Sequence, residues 1–264
     1  RGMGGVGISL RNGNRVNTLN PASYSAIDSL SMVFDAGVSG QITNFKEGGR
    51  KLNANNADLE YAVAAFRLAP HLGASVGLLP LSNIGYNYST SYPVNDVTGS
   101  GFANTTMTEV HNGSGGLHQA YLGLGWRVFR QLSVGANFSY LWGSYDKSVS
   151  AQSSDAYVST VTKTYTATVN SYKLDFGVQW EQPLNNNNFV TLGATLGLGH
   201  KLHGDSHCII SNTDTQLGTS SVDTLTVSNG LEIPMTIGVG LSWRHANKYV
   251  VAVDYSLQRW GNLG

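Results

Sequence analysis

Runs that alternate apolar and polar residues leave few folds open to this chain. In "YKLDFGVQW" (172–180), Tyr172, Leu174, Phe176, Val178 and Trp180 share one parity, and Lys173, Asp175, Gly177 and Gln179 share the other. Successive side chains of a strand point to opposite faces, so this is a strand with one apolar and one polar face. The pattern recurs at 120–128, 132–142, 190–198, 233–243 and 249–258, with Leu141 alone breaking the run at 132–142. Weaker versions lie near 29–40, 58–69 and 72–84. The periodicity predicts about nine strands and no convincing amphipathic helix.

The connections between these runs decide what the apolar face meets. Short links fall at Pro70–His71, Arg130–Gln131, Pro183–Asn188 and Arg244–Lys248. Long links fall at about 41–57, 85–116, 145–170 and 200–231. Strict short–long alternation puts all short turns on one side of the sheet and all long loops on the other. Outer-membrane barrels are built so, whereas a soluble sandwich needs Greek-key crossings. The aromatic residues agree. Trp126, Phe129, Trp180, Trp243 and Tyr249 sit beside the short turns, and Tyr140, Trp142, Tyr172 and Trp260 sit toward the long loops. Two belts at opposite strand ends suit the two interfaces of a membrane. The apolar parities are therefore expected to face lipid, with Lys173, Asp175, Asn137 and Gln179 lining the lumen.

Composition narrows the choice further. Charged residues are 12% of the 264, about half the share usual in soluble domains. No stretch approaches the roughly 18 apolar residues of a membrane helix, which leaves a barrel open. The net charge of zero gives no reason to expect a nucleic-acid partner. Cys208 is the single cysteine, so neither a disulfide framework nor a cysteine-based metal site is expected.

Candidate chemistry is sparse. His200, His203, His207 and Cys208 are the densest group of metal-type ligands. In an extended segment His203 and His207 share one face while His200 and Cys208 share the other, so joint ligation requires the chain to fold back. A solvated polar loop is expected there instead. "GVGISL" and "GSGG" lack the following helix that a phosphate loop needs. Asp35, Asp175 and Asp254 read as lumen-wall polarity rather than acid–base pairs. No catalytic, metal or cofactor site is expected, and no enzyme activity.

With the chain read as a barrel, its opening becomes recognisable. "RGMGGVGISL" followed by "NTLNPASYSAIDSL" resembles the start of the FadL-type outer-membrane transporters of long-chain fatty acids and other hydrophobic compounds. Looser likenesses follow in "GSGGLHQAYLGLGWRVFRQLSVGANFSYLWG" (113–143), "LEIPMTIGVGLSW" and "YVVAVDYSLQRW", in the family's order. The resemblance implies an all-β fold, a transmembrane antiparallel up-and-down β-barrel of 14 strands in the family. It also implies an N-terminal hatch over residues 1–28 ahead of a barrel over 29–264. The hatch motif maps onto Gly2, Gly4, Gly5, Gly7, Asn20, Pro21 and Ala22. No apolar ligand-binding residue matches, so no substrate carries over.

Several expectations follow for the whole protein. With about nine strands, the sequence is expected to lack roughly its last five, judged against the family's size. Opening at Arg1, it is expected to have lost a leader or to be part of a longer precursor. The function expected is passage of hydrophobic molecules, such as long-chain fatty acids, through a plugged lumen in the bacterial outer membrane. Its partners would be membrane lipid and a hydrophobic small molecule. The alternative is an accessory or structural subunit of a larger outer-membrane complex, in secretion or barrel assembly, with other outer-membrane proteins as partners. An outer-membrane enzyme is a third and weaker class.

Overall fold

A computed structural model describes residues 4–28, 32–47, 50–94, 105–155, 157–214, 216–228, 230–246 and 248–262. It is all-β, apart from two short 3-10 turns at Pro21–Ala26 and Trp260–Asn262 among the described residues. No described helix is long and apolar enough to cross a membrane. Six long strands come first: β1 (Met32–Glu47), β2 (Arg50–Ala69), β3 (Leu72–Val94), β4 (Thr105–Arg127), β5 (Leu132–Ser153) and β6 (Thr160–Asn185). β7 (Asn188–Gly197) follows. The chain then makes an excursion through β8 (His200–Lys201), β9 (Asp205–Asp214), β10 (Thr219–Ser228) and β11 (Glu232–Ile233). It returns as β12 (Thr236–His245) and β13 (Tyr249–Gln258).

The main sheet runs β1-β2-β3-β4-β5-β6-β7-β12-β13, every pair antiparallel. This is an up-and-down sheet of nine strands, in agreement with the number read from periodicity. The β9–β10 hairpin pairs with the upper part of β6, and β8 and β11 form a small ladder of their own.

Residues 4–28 identify the inside. They lie against the parity that carries Gly177 and Gln179, where Gln179 is fully buried. The opposite parity is bare: Phe176 is 42% exposed and Val253 is 68% exposed, and Leu122, Leu192 and Leu241 are exposed too. Across the strands, Trp126, Val134 and Val178 stand side by side on this outer face. A continuous apolar outer surface is unfavourable in water and favourable in hydrocarbon. Trp126, Trp180, Trp243 and Tyr249 are exposed toward the short turns, Tyr140 and Tyr172 toward the other end.

The long links differ from the expected loops. Residues 41–47, 50–57, 85–94, 105–116, 145–153 and 160–170 continue the strands, and 205–228 forms a hairpin against them. Here the polarity of the two faces is exchanged. The lumen-side row carries Tyr86, Lys147, Tyr165, Cys208 and Leu225, and the next carries Tyr88, His111, Val149, Lys163, Ile210 and Asp223. The outer row between them carries Asn87, Asn112, Ser148, Thr164 and Thr224, with Ile209 the apolar exception. Such a segment stands in water on its outside, so the apolar band ends near Trp142 and Tyr172. Residues 29–31, within the expected first strand, fall outside the described residues.

Phe176 sits near the middle of the apolar run of β6, so Phe176→Arg places a charge near the bilayer midplane. The expected cost is about 2–4 kcal/mol, read from reversible denaturant titration of the protein in phosphatidylcholine vesicles.

Candidate functional site

The site is the contact between the N-terminal segment and the inner wall. On the wall, Gly73 pairs across to Gly125, Gly125 to Gly135, and Gly135 to Gly177. One step along the strands, Gly193 pairs to Gly240 and Gly240 to Asp254. Six inward-facing glycines thus form a nearly continuous groove across β3, β4, β5, β6, β7 and β12. The N-terminal segment lies in it. A β-carbon at Gly73 would overlap the Tyr24 carbonyl, at Gly135 the Pro21 peptide, at Gly177 the Asn20 side chain, and at Gly193 the Ile8 carbonyl. Glycine permits this approach because it has no side chain to displace.

Asn20 occupies the centre of the contact and is fully buried. Its Nδ2 donates to the carbonyls of Ile8 at 2.8 Å, Val178 at 3.2 Å and Ala194 at 3.4 Å. Its Oδ1 accepts from the Ala22 amide at 3.1 Å, capping the 3-10 turn that begins at Pro21. Proline suits the first turn because its fixed φ matches and no amide hydrogen is lost. The side chain therefore needs a donor and an acceptor at one length, which asparagine provides.

Three more wall groups fasten the segment. Asp254 Oδ2 accepts from the amides of Gly7 at 2.6 Å and Ile8 at 2.8 Å. Gln179 Nε2 donates to the carbonyls of Ile8 at 3.0 Å and Leu10 at 3.1 Å. Ser242 donates to the Ser9 carbonyl at 3.1 Å. Arg11 reaches Ser133 at 2.8 Å and Ser25 at 2.9 Å. Burial chiefly, then the cations of Arg127 and Arg244, lower the Arg11 pKa to about 10, with Glu181 acting in the opposite direction.

The expected motif residues take different places. Asn20, Pro21, Ala22 and Gly7 are buried, while Gly4 and Gly5 are exposed with φ of 65° and 84°, the left-handed region. Gly2 lies outside the described residues. The expected lumen polarity is met: Lys173 and Asp175 form an ion pair at 2.7 Å, and Asp35 accepts from Tyr61 at 3.3 Å. His200 stacks on Tyr172 at 4.5 Å, His207 contacts Thr226 at 3.0 Å and His203 is exposed. Among the described residues no group of His, Cys, Asp or Glu gathers as metal ligands.

Beyond the segment a cavity of about 730 Å³ opens. Gly5, Ile8 and Leu19 form one side, Lys173, Asp175 and Asp254 line the wall, and Leu117, Leu202, Leu231 and Ile233 line the far side. Leu117, Leu141, Val169 and Leu202 pack together as a buried apolar cluster. Leu141, fully buried, is the residue that broke the alternation of β5. That break was the signal for an apolar patch inside the lumen. The β8–β11 pair brings Leu202 and Ile233 to the same place.

Removing the amide of Asn20 leaves buried carbonyls without a donor. Asn20→Ala is expected to loosen the segment by about 1–3 kcal/mol, seen as faster hydrogen exchange at Ile8, Ala22 and Tyr24 with the strands unchanged.

Comparison with solved structures gives chains of the same fold. The P. putida toluene transporter TodX matches with a TM-score of 0.55 and 15% identity, over 92% of this chain and 65% of that one. A TodX deletion mutant described as a monoaromatic hydrocarbon channel gives 0.63 and 17%, over 98% and 69%. The Ralstonia pickettii toluene transporter TbuX gives 0.56 and 12%, over 92% and 66%. The sequence thus spans about two thirds of the length of these structures. They are FadL-family proteins, so the FadL-like expectation holds for the fold. No curated protein matches. The family model that matches is not that of FadL: it is BamG, over residues 1–264, and the chain belongs to the BamG family.

Proposed function

We propose that this chain is a plugged outer-membrane barrel that serves as a subunit of a larger outer-membrane complex. The observation that carries the reading is the fastening of residues 4–28. Asp254, Gln179 and Ser242, with the Val178 and Ala194 carbonyls that accept from Asn20, hold the segment through hydrogen bonds from four strands, on a groove shaped to it. Charge-assisted and buried hydrogen bonds are costly to break. A stopper held so firmly suits a barrel used as a scaffold better than one that must open at each passage. Membership of the BamG family favours the same reading. Strands that run on above the apolar band add a broad Tyr-, Ser- and Asn-bearing surface, of the residue types that protein-recognition surfaces favour.

A second reading is passage of hydrophobic molecules. The cavity of about 730 Å³ with Leu117, Leu202 and Ile233 favours it. So do the similar structures, which are those of toluene transporters and a monoaromatic hydrocarbon channel. In that reading the segment is a movable hatch and fatty acids are among the cargo. The bacterial outer membrane is the location in both.

The readings separate by experiment. Solubilised from native membrane in mild detergent, the protein is expected to migrate with stoichiometric outer-membrane partners. Purification as a lone barrel that binds toluene or a fatty acid in calorimetry would reverse the order of the two. Deletion of residues 1–20 is expected to raise conductance in planar bilayers, and equal conductance of deleted and intact protein would show that the segment is no plug.

A further inference from the structure

The charges of the sheet are unevenly placed along the strand axis. At the short-turn end, Arg67, Arg127, Glu181 and Arg244 all lie on the parity that faces the lumen. Arg67 pairs with Gly73, Arg127 with Ser133, Glu181 with Thr191, and Arg244 with Phe189. Arg11 of the N-terminal segment joins them, since it donates to Ser133, the cross-strand partner of Arg127, and to Gln179, two residues before Glu181. Four arginines thus lie toward this mouth, against Glu181 on the wall and the exposed Asp28 that leads into β1, and Arg130 is exposed in the adjoining turn. Glu181 is taken by Arg244 at 3.5 Å. Among the described residues, Arg67 and Arg127 have no ion-pair partner.

Like charges gathered around a buried cation are unfavourable unless an anion arrives. Lipid phosphates are badly placed to supply it, because lipid lies on the opposite face of each strand. The anion must approach along the barrel axis, from the side of the short turns, which is periplasmic in barrels of this class. We propose that the short-turn mouth is a docking surface for an acidic segment of a periplasmic protein, with carboxylates paired to Arg67 and Arg127. The inference rests on the subunit reading and names where and by what chemistry one partner is held. Guanidinium groups pair with carboxylates through paired hydrogen bonds, so arginine rather than lysine suits this mouth.

The test uses the full-length protein in its native outer membrane, with a photoreactive residue in place of Arg130. The expected product is a crosslink to one periplasmic protein, reduced about tenfold or more by Arg67→Gln with Arg127→Gln, and weakened by salt. These substitutions remove charge with little change in size, and unchanged hydrogen exchange at Ile8 and Tyr24 verifies that the segment stays seated. Crosslinks to phospholipid alone, or a protein crosslink indifferent to both substitutions, overturn the inference. The native complex, isolated in parallel, separates the two levels. If the complex persists with its full set of subunits in the double variant, the subunit reading stands and the mouth assignment falls. If wild-type protein purifies alone, both fall.

Discussion

A groove of glycines across the inner wall determines how the rest of the molecule is arranged. Gly73, Gly125, Gly135, Gly177, Gly193 and Gly240 succeed one another from strand to strand, and Asp254 ends the row. A β-carbon at these points would collide with the N-terminal segment or, at Gly240, first with the Asp254 carboxylate that holds it, so the segment could not stay in hydrogen-bonding contact. The contacts of Asn20 and Asp254 therefore depend on residues that contribute no atoms to them. Gly in a strand weakens it by loss of backbone entropy and packing. Here that loss is concentrated in one band of the sheet, and the seated segment offsets it.

The second organising feature is the exchange of polarity along the strands. Below Trp142 and Tyr172 the outer parity is apolar; above them it becomes Asn, Ser and Thr, and Tyr, Val and Leu move to the lumen side. One strand thus crosses two solvents. Backbone hydrogen bonding continues through the crossing, because the ladder of β4 with β5 runs unbroken from Arg127–Ser133 to Met107–Ser153. Gly115 and Gly143, both at positive φ, lie where the exchange occurs. They let the paired strands adjust their twist at the boundary without losing register.

Much of this was legible in the residues. Period-two alternation located all nine strands of the main path, because hydrocarbon on one side and a polar lumen on the other give the strongest contrast two faces can have. The same alternation leaves 41–57, 85–116, 145–170 and 200–231 as long links, although strands run through most of them. Above the apolar band the outer face of β5, β6, β9 and β10 is mostly Ser, Thr and Asn, and the inner face mixes Tyr, Val and Ile with Lys147, Lys163 and Asp223, so hydrophobic contrast fades while β-propensity remains. Asn20 and Pro21 were legible as a turn. Their burial against Val178 and Ala194 was not, since it depends on partners some 160 residues away. The inward glycines were visible as one parity of each strand. Their alignment into a single groove depends on register, which a single strand does not reveal. Leu141 was visible as an exception to its strand, and the cluster with Leu117, Val169 and Leu202 gives the exception its meaning.

The lumen is consequently divided along its axis. Near the short turns it is polar and closely filled, by Arg11, Gln179, Ser133 and the segment they hold. Toward the long strands it opens into a cavity lined by Leu117, Leu202, Leu231 and Ile233 together with Lys173, Asp175 and Glu232. A carrier needs continuity from one end to the other, and a cargo leaving the apolar side would next meet buried amides and the arginines toward the mouth. Passing a hydrocarbon through them would break hydrogen bonds these amides make to the segment and the wall, which is unfavourable. Apolar space at one end and a charged mouth beside the seated segment at the other are two separate surfaces. That division along the axis supports the subunit reading proposed above, and the apolar space is the observation behind the transport reading.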